Sequence, residues 1–189
     1  AEANVDTHCR VTKLLRVRRV VRALSVAHGH GIAHGFLSPA RIRLGLRDDD
    51  TVVFLGFGIH RHTFSQADMT FIAPEVLSGK FDATVSADVY SVAMLVCVAL
   101  VGEDHGQRLL SDSLTVLSEA DLSSELVALL QRGIAFESTE RPLDITTFLD
   151  EVLQDEKLLR EFVAAPVTSE TPGLRRDALL SLLSRSPDT

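Results

Sequence analysis

The sequence predicts a mainly α-helical domain carrying one small two-stranded hairpin, and three observations predict it. Between Val11 and His28 the apolar residues Leu14, Leu15, Val17, Val20, Val21, Leu24 and Ala27 recur at helical spacing, with Arg16, Arg18, Arg19 and Arg22 between them. The stretch Asp88 to Val101 is apolar on nearly every side, the pattern of a helix buried all round. Two short runs, "RIRLG" and "TVVFLGFG", flank the polar stretch Arg47 to Thr51 and read as paired strands joined by a turn.

The remaining elements follow in order. Gly29 and Gly31 end the first helix, and an irregular loop runs from Ile32 to Ala40. After the second strand a loop continues to Phe71. Beyond the central helix, helical patterns cover Leu122–Ile134, Leu143–Leu153, Asp155–Ala164 and Leu174–Leu183. The run "TSETPG" at Thr168–Gly173 reads as a linker before the last of them. This divides the chain into a main domain, residues 1–155, and a C-terminal helical extension, residues 156–189. There is no internal repeat.

Composition narrows the function classes. A chain of 189 residues fits one domain. It is 46% hydrophobic and 24% charged, as globular domains are. A formal net charge of -7 opposes general nucleic-acid binding, which needs a basic surface. The two cysteines, Cys9 and Cys97, share no metal-binding spacing, and Cys97 sits in an apolar run as a buried thiol would. The start "AEANVDTHC" lacks the charged and apolar regions of a signal peptide. The longest apolar run, Val89 to Val101, falls short of the roughly 20 residues that span a bilayer, so no membrane insertion is expected. Localisation stays open.

Several clusters invite a functional reading and favour a plainer one. His28, His30, His34, His60 and His62 suggest a metal, but "HxHxxxH" across a helix end does not bring three imidazoles to one face. Asp48-Asp49-Asp50 lacks the alternating ligands and turn glycine of a calcium loop and reads as a solvated turn. The arginines Arg16, Arg18, Arg19 and Arg22 read as a solvated helix face.

The order of elements carries a resemblance. "HGHGIAHGFLSPARIRL", "LGFG", "FIAPEVLSG", "SADVYSVAMLV" and "STERP" follow one another at suitable spacings. Over about Val11 to Leu153 the chain resembles the C-terminal lobe of the protein-kinase fold. The match begins near the helix that precedes the catalytic loop, so the N-terminal lobe is expected to be absent from this chain. With it go the glycine-rich loop, the strand lysine and its glutamate partner.

The resemblance assigns roles position by position. The family's catalytic loop reads H-R-D-L-x-x-x-N, with Asp as the base and Asn as a metal ligand. Here His34 is kept, Gly35 stands for the Arg, Phe36 for the catalytic Asp, Ser38 for the common Lys and Arg41 for the Asn. The D-F-G triplet reads Gly56-Phe57-Gly58, without its magnesium-binding Asp. Magnesium needs hard oxygen ligands, which Phe, Gly and Arg side chains lack. Arg43 falls in the floor beneath the adenine. Thr63, Ser65 and Thr70 fall in the activation segment, but a phosphate there would find no Arg at position 35.

What the resemblance retains is structural. It implies that Glu75 of "APE" pairs with Arg141 of "ERP", that Asp88 accepts hydrogen bonds from the loop backbone, and that His34, Phe57 and Asp88 belong to a stacked internal column. The expected function is a catalytically inactive pseudokinase domain acting as a protein-interaction or regulatory scaffold. No catalytic, cofactor-binding or metal-binding residue is assigned, and no cofactor is expected. The expected partner is a protein, an active kinase among the candidates, or a second copy of the chain. The alternative is an unconventional or split kinase whose N-lobe comes from a missing segment or another chain. It would need replacement carboxylates, and the nearest, Asp68 and Asp48, lie in loops where the sequence shows nothing to position them.

Overall fold

In the computed structural model the described residues are 2–45, 51–57, 65–79 and 84–164. At the centre stands α4, Val85–Val101. Thr84 starts it, its hydroxyl accepting from Ala87 N, and Gly102 at φ 98° stops it. Because its sequence offers apolar side chains on every face, the helix can be surrounded, and the helices Glu2–Gly29, Gly106–Glu119, Ser124–Gly133 and Ile145–Leu153 pack around it.

Helix α1 runs Glu2–Gly29 and buries Leu14, Leu15, Val20, Val21 and Leu24. It starts well ahead of Val11. Residues before Val11 carry no apolar stripe, so periodicity is silent there. A short 3-10 turn, Pro39–Arg41, leads into β1, Ile42–Leu44, which pairs antiparallel with β2, Val52–Phe54. The register sets Ile42 against Phe54, Arg43 against Val53 and Leu44 against Val52. Alternation puts Arg43 and Val53 on the outer face and turns their neighbours toward the core. The polar turn expected between the strands lies mostly outside the described residues.

Arg19 corrects one expectation. It does not join a solvated arginine face. It is buried, and its guanidinium donates to the carbonyls of Gly45 (3.5 Å) and Thr51 (3.4 Å), fastening the turn end of the hairpin to α1. A guanidinium suits this place because its rigid fork reaches two carbonyls at once.

Two one-turn helices follow: α2 at Gln66–Met69 interrupts what the sequence reads as loop to Phe71, and α3 lies beyond it at Pro74–Leu77. After α4, a 3-10 turn at Glu103–His105 leads into α5, Gly106–Glu119. Sequence periodicity misses α5, and the reason is visible. Asp112 adopts φ -153° and ψ 62° inside the element, breaking it into two short pieces, and its carboxylate accepts from Thr115 N to restart the second. The polar run Ser111-Asp112-Ser113 hides the apolar stripe on both sides.

The expected helices after it appear within a few residues of their predicted bounds: α6 at Ser124–Gly133, α7 at Ile145–Leu153 and α8 at Glu156–Ala164. Ser123 and Asp144 cap α6 and α7. Gly133 permits a close approach: a Cβ there would meet Ala93 Cβ at 2.7 Å and Phe148 at 2.9 Å. Helix α8 packs on α1 and sinks Leu158 and Phe162 into the common core. The expected helix at Leu174–Leu183 lies outside the described residues. No helix among the described residues is long and apolar enough to cross a membrane.

Candidate functional site

The loop between α1 and the 3-10 turn converges on one carboxylate. Asp88, in the first turn of α4, is fully buried. Its Oδ2 accepts from His34 N at 2.7 Å and from His28 Nε2 at 2.8 Å, and its Oδ1 accepts from Gly35 N at 2.7 Å. One buried acid thus joins the end of α1, the loop and the central helix. Gly35 stands at φ 80° and Gly56 at φ 83°, the left-handed region that favours glycine, so backbone geometry alone accounts for a glycine at both positions.

His34 is held in one tautomer. Nε2 donates to Leu55 O at 3.2 Å, while Nδ1 accepts from Phe36 N at 3.3 Å. Burial pushes its pKa below the ordinary 6.5, against the opposing pull of Asp88, so the ring stays neutral. The ring lies 4.6 Å from that of Phe57 and 6.0 Å from that of Phe54, centroid to centroid, and Phe54 and Phe57 meet edge-on at 5.7 Å. His34, Phe57 and Asp88 are therefore joined, with Phe57 at the exposed upper end.

The three positions to which the resemblance assigns chemistry are built differently. Phe36 is 6% exposed and belongs to the core. Gly56 has no side chain. Arg41 closes the 3-10 turn and lies near enough to Asp68 to lower the pKa of its carboxyl. Arg43 is exposed and folds back on its own strand, Nη1 donating to Ala40 O and Ile42 O.

Asp68 is the residue that sequence reasoning misplaced. The sequence shows nothing to position it, but the structure does. Ser38 Oγ, fully buried, donates to Asp68 Oδ1 at 2.6 Å, and Asp68 Oδ2 accepts from Ser65 N and Oγ, closing a capping box on α2. Burial raises the Asp68 pKa, but the Ser38 and Ser65 hydrogen bonds and Arg41 outweigh it and hold the carboxyl below its usual range. The signal was a hydroxyl 30 positions away, which no local pattern connects.

At the base, Arg141 uses every N–H it has. Nη1 and Nη2 meet Glu75 Oε1 and Oε2 at 2.7 and 2.8 Å; the remaining donors reach Ser86 O, Ala135 O and Phe136 O. The Tyr90 ring lies 5.1 Å beneath the guanidinium. The pair is deep, with the Arg141 side chain 0% and Glu75 14% exposed. The structure brings Glu75 to Arg141 and Asp88 to His34. Of the other positions singled out, Asp48, His60, His62 and Thr63 lie outside the described residues.

No protein-family model and no curated protein matches the chain. Solved structures do. Two double mutants of the Mycobacterium tuberculosis PknI kinase domain are each 23% identical over 75% of this chain, with TM-scores of 0.52 and 0.51, and the match covers 53% and 54% of those domains. A structure of titin kinase and its flanking domains is 18% identical over 95% of this chain and 34% of that one, with a TM-score of 0.54. The chain therefore spans about half the length of the PknI kinase domain. At such identities the likeness speaks to the fold alone: the chain has a protein-kinase-like fold, of which it contains a mainly helical, C-lobe-like part with one two-stranded hairpin.

Proposed function

We propose that this domain is a catalytically inactive kinase-like module that serves as a protein-interaction or regulatory scaffold. The observation that carries the reading is Phe36. The resemblance puts the proton-accepting Asp at that position, and the side chain found there is a phenyl ring buried in the core. A general base must reach the substrate hydroxyl, and a buried phenyl ring does not. The other two positions support it. Gly56 and Arg41 offer no side-chain oxygen to magnesium, and among the described residues no three His, Cys, Asp or Glu side chains form a group that would hold an ion. The residues present do not fit a metal-bound nucleotide, and Asp68, the replacement carboxylate among the described residues, is already engaged by Ser38 and Ser65.

A second reading has one observation in its favour. Val53, on the outer face of the hairpin, and Leu55 and Phe57, just after it, are 46%, 43% and 39% exposed. Apolar side chains grouped on an open face suit a covering domain, as a kinase completed by an N-lobe from another segment or chain would have.

The two readings separate in one experiment. The protein is captured from its native source with whatever accompanies it, then incubated with γ-labelled ATP, magnesium or manganese, and a general acceptor protein. A scaffold brings a stable protein partner and transfers no label. Transfer that disappears in Asp68→Asn would overturn the inactive reading and favour the split kinase.

A further inference from the structure

The loop between α6 and α7 carries the two most exposed large apolar side chains among the described residues: Phe136 is 74% and Leu143 94% exposed. Apolar side chains scattered singly on a surface are ordinary, and a loose loop can fold them away. This loop is fastened along its length. Arg141, its side chain 0% exposed, reaches back to the carbonyls of Ala135 at 2.9 Å and Phe136 at 3.1 Å. Ser86 Oγ, from α4, donates to Ser138 O at 3.1 Å in the middle. Glu140 N donates to Glu137 O within the 3-10 turn Ser138–Glu140, and at the far end Asp144 caps α7. The backbone that bears Phe136 and Leu143 is thus set before any partner arrives, and a surface already ordered gives up little entropy when it is covered.

The charge around these side chains has one sign. Glu137 and Glu140 lie between them in sequence and are exposed. From Ile134 to Glu156 the chain holds seven Asp and Glu but one cation, Arg141, which is buried against Glu75. The cations on either side, Arg132 and Lys157, pair with Glu151 and Asp121.

We propose that residues 135–144 are a docking platform for a basic amphipathic helix of a partner protein. Phe136 and Leu143 meet the apolar stripe of that helix, and Glu137 and Glu140 meet Lys or Arg side chains beside the stripe. A helix with apolar residues at i, i+3, i+4 and i+7 offers such a strip with cations along its edge. Apolar contact supplies affinity, and charge selects the partner. The same carboxylates disfavour an acidic partner or an anionic lipid surface. The proposal rests on the scaffold reading above and gives it a surface and a partner chemistry.

The test uses the full chain and fluorescein-labelled amphipathic helical peptides of Leu and Lys. One control peptide has Glu for every Lys, and another has Ser for every Leu. The Leu–Lys peptide should bind saturably and the controls should not. Phe136→Ser and Leu143→Ser should each weaken binding by about tenfold or more, as should Glu137→Lys combined with Glu140→Lys. In 1 M salt, where the screening length is about 3 Å, binding should fall several-fold. All four positions are exposed, so the variants should melt as the parent does, which separates a lost contact from a lost fold. No saturable binding, equal binding of the Glu control, or binding unchanged in both apolar variants would overturn the platform. Self-association in sedimentation that Phe136→Ser and Leu143→Ser abolish would make the occupant a second copy. Adsorption to phosphatidylcholine vesicles that the same variants abolish would make it a lipid surface. Either result overturns the basic-helix proposal. Its failure leaves the inactive reading standing, whereas transfer of label in the kinase assay would overturn that reading and leave the peptide measurement unaffected.

Discussion

Arg141 and Glu75 face each other across 66 positions of sequence and meet as a two-pronged pair, with nitrogen–oxygen distances of 2.7 and 2.8 Å. The same guanidinium also satisfies three backbone carbonyls. Removing one partner strands the other's charge in a place water barely reaches, at a cost of about 3–5 kcal/mol. Against a typical total of about 5–15 kcal/mol, that loss is severe. Glu75→Ala and Arg141→Ala should each lower the urea midpoint strongly. The double variant should lose less than the sum, because each single change leaves a stranded charge that the double removes. Additive losses would mean that the pair is not coupled.

The Asp88 carboxylate should matter through the backbone it holds. Asp88→Ala leaves two loop amides and His28 Nε2 without their acceptor, and each buried, unpaired donor costs about 1–3 kcal/mol. Denaturant unfolding should show a loss above about 3 kcal/mol, with the His34 and Gly35 amides exchanging fastest. Asp88→Asn keeps the shape and one acceptor and should cost less. A change under about 1 kcal/mol for Asp88→Ala would contradict this account of the loop.

Acid should weaken the fold in two stages. Burial holds His34 below its ordinary 6.5, so the unfolded chain takes up that proton first. The neutral ring's contribution is complete above pH 6.5 and is lost as pH falls through the lowered folded value. Asp68 and Glu75 are likewise lowered, burial being outweighed by Ser38 and Ser65 in one case and by Arg141 in the other. Their contribution is present above the ordinary carboxylate range and fades as pH falls through the lowered values. Glu161, pushed up by burial, opposes them in the carboxylate range. Urea midpoints measured from pH 7.5 to pH 3.5 should therefore fall in two steps, and a flat profile between pH 7 and pH 5 would contradict the neutral, buried His34.

The two thiols should behave oppositely. Cys97 lies inside α4 and burial pushes its pKa up to about 12, so at pH 8 it is neither ionised nor reachable. Cys9 is exposed. Native alkylation followed by intact mass should add one label, and alkylation in denaturant two. Two labels on the native protein would mean that α4 is not buried as described.

The parts of the fold legible in the sequence are those whose signal is local. Helix α4 announces itself because every face is apolar, and the hairpin because two β-rich runs flank a polar stretch. Glu75, Asp88 and Arg141 are nameable because each sits in a short motif whose order along the chain points to the kinase fold. What stays hidden depends on distant pairs or broken patterns. Asp112 splits α5 and erases its period. Arg19 looks like one more solvated arginine until the hairpin folds over it. Ser38 and Asp68 are unremarkable polar residues in two loops, and their bond exists only once the loops are brought together.

The proposed function holds that the described residues keep the groups that hold the lobe together and lack those that would bind a metal-bound nucleotide. A thermal-shift titration with ATP and magnesium tests it most directly. A ligand at a hundredfold above its dissociation constant would stabilise the folded chain by about 2.7 kcal/mol, an easily read upward shift. The account predicts no shift up to millimolar nucleotide. A saturable, magnesium-dependent rise in melting temperature would contradict it.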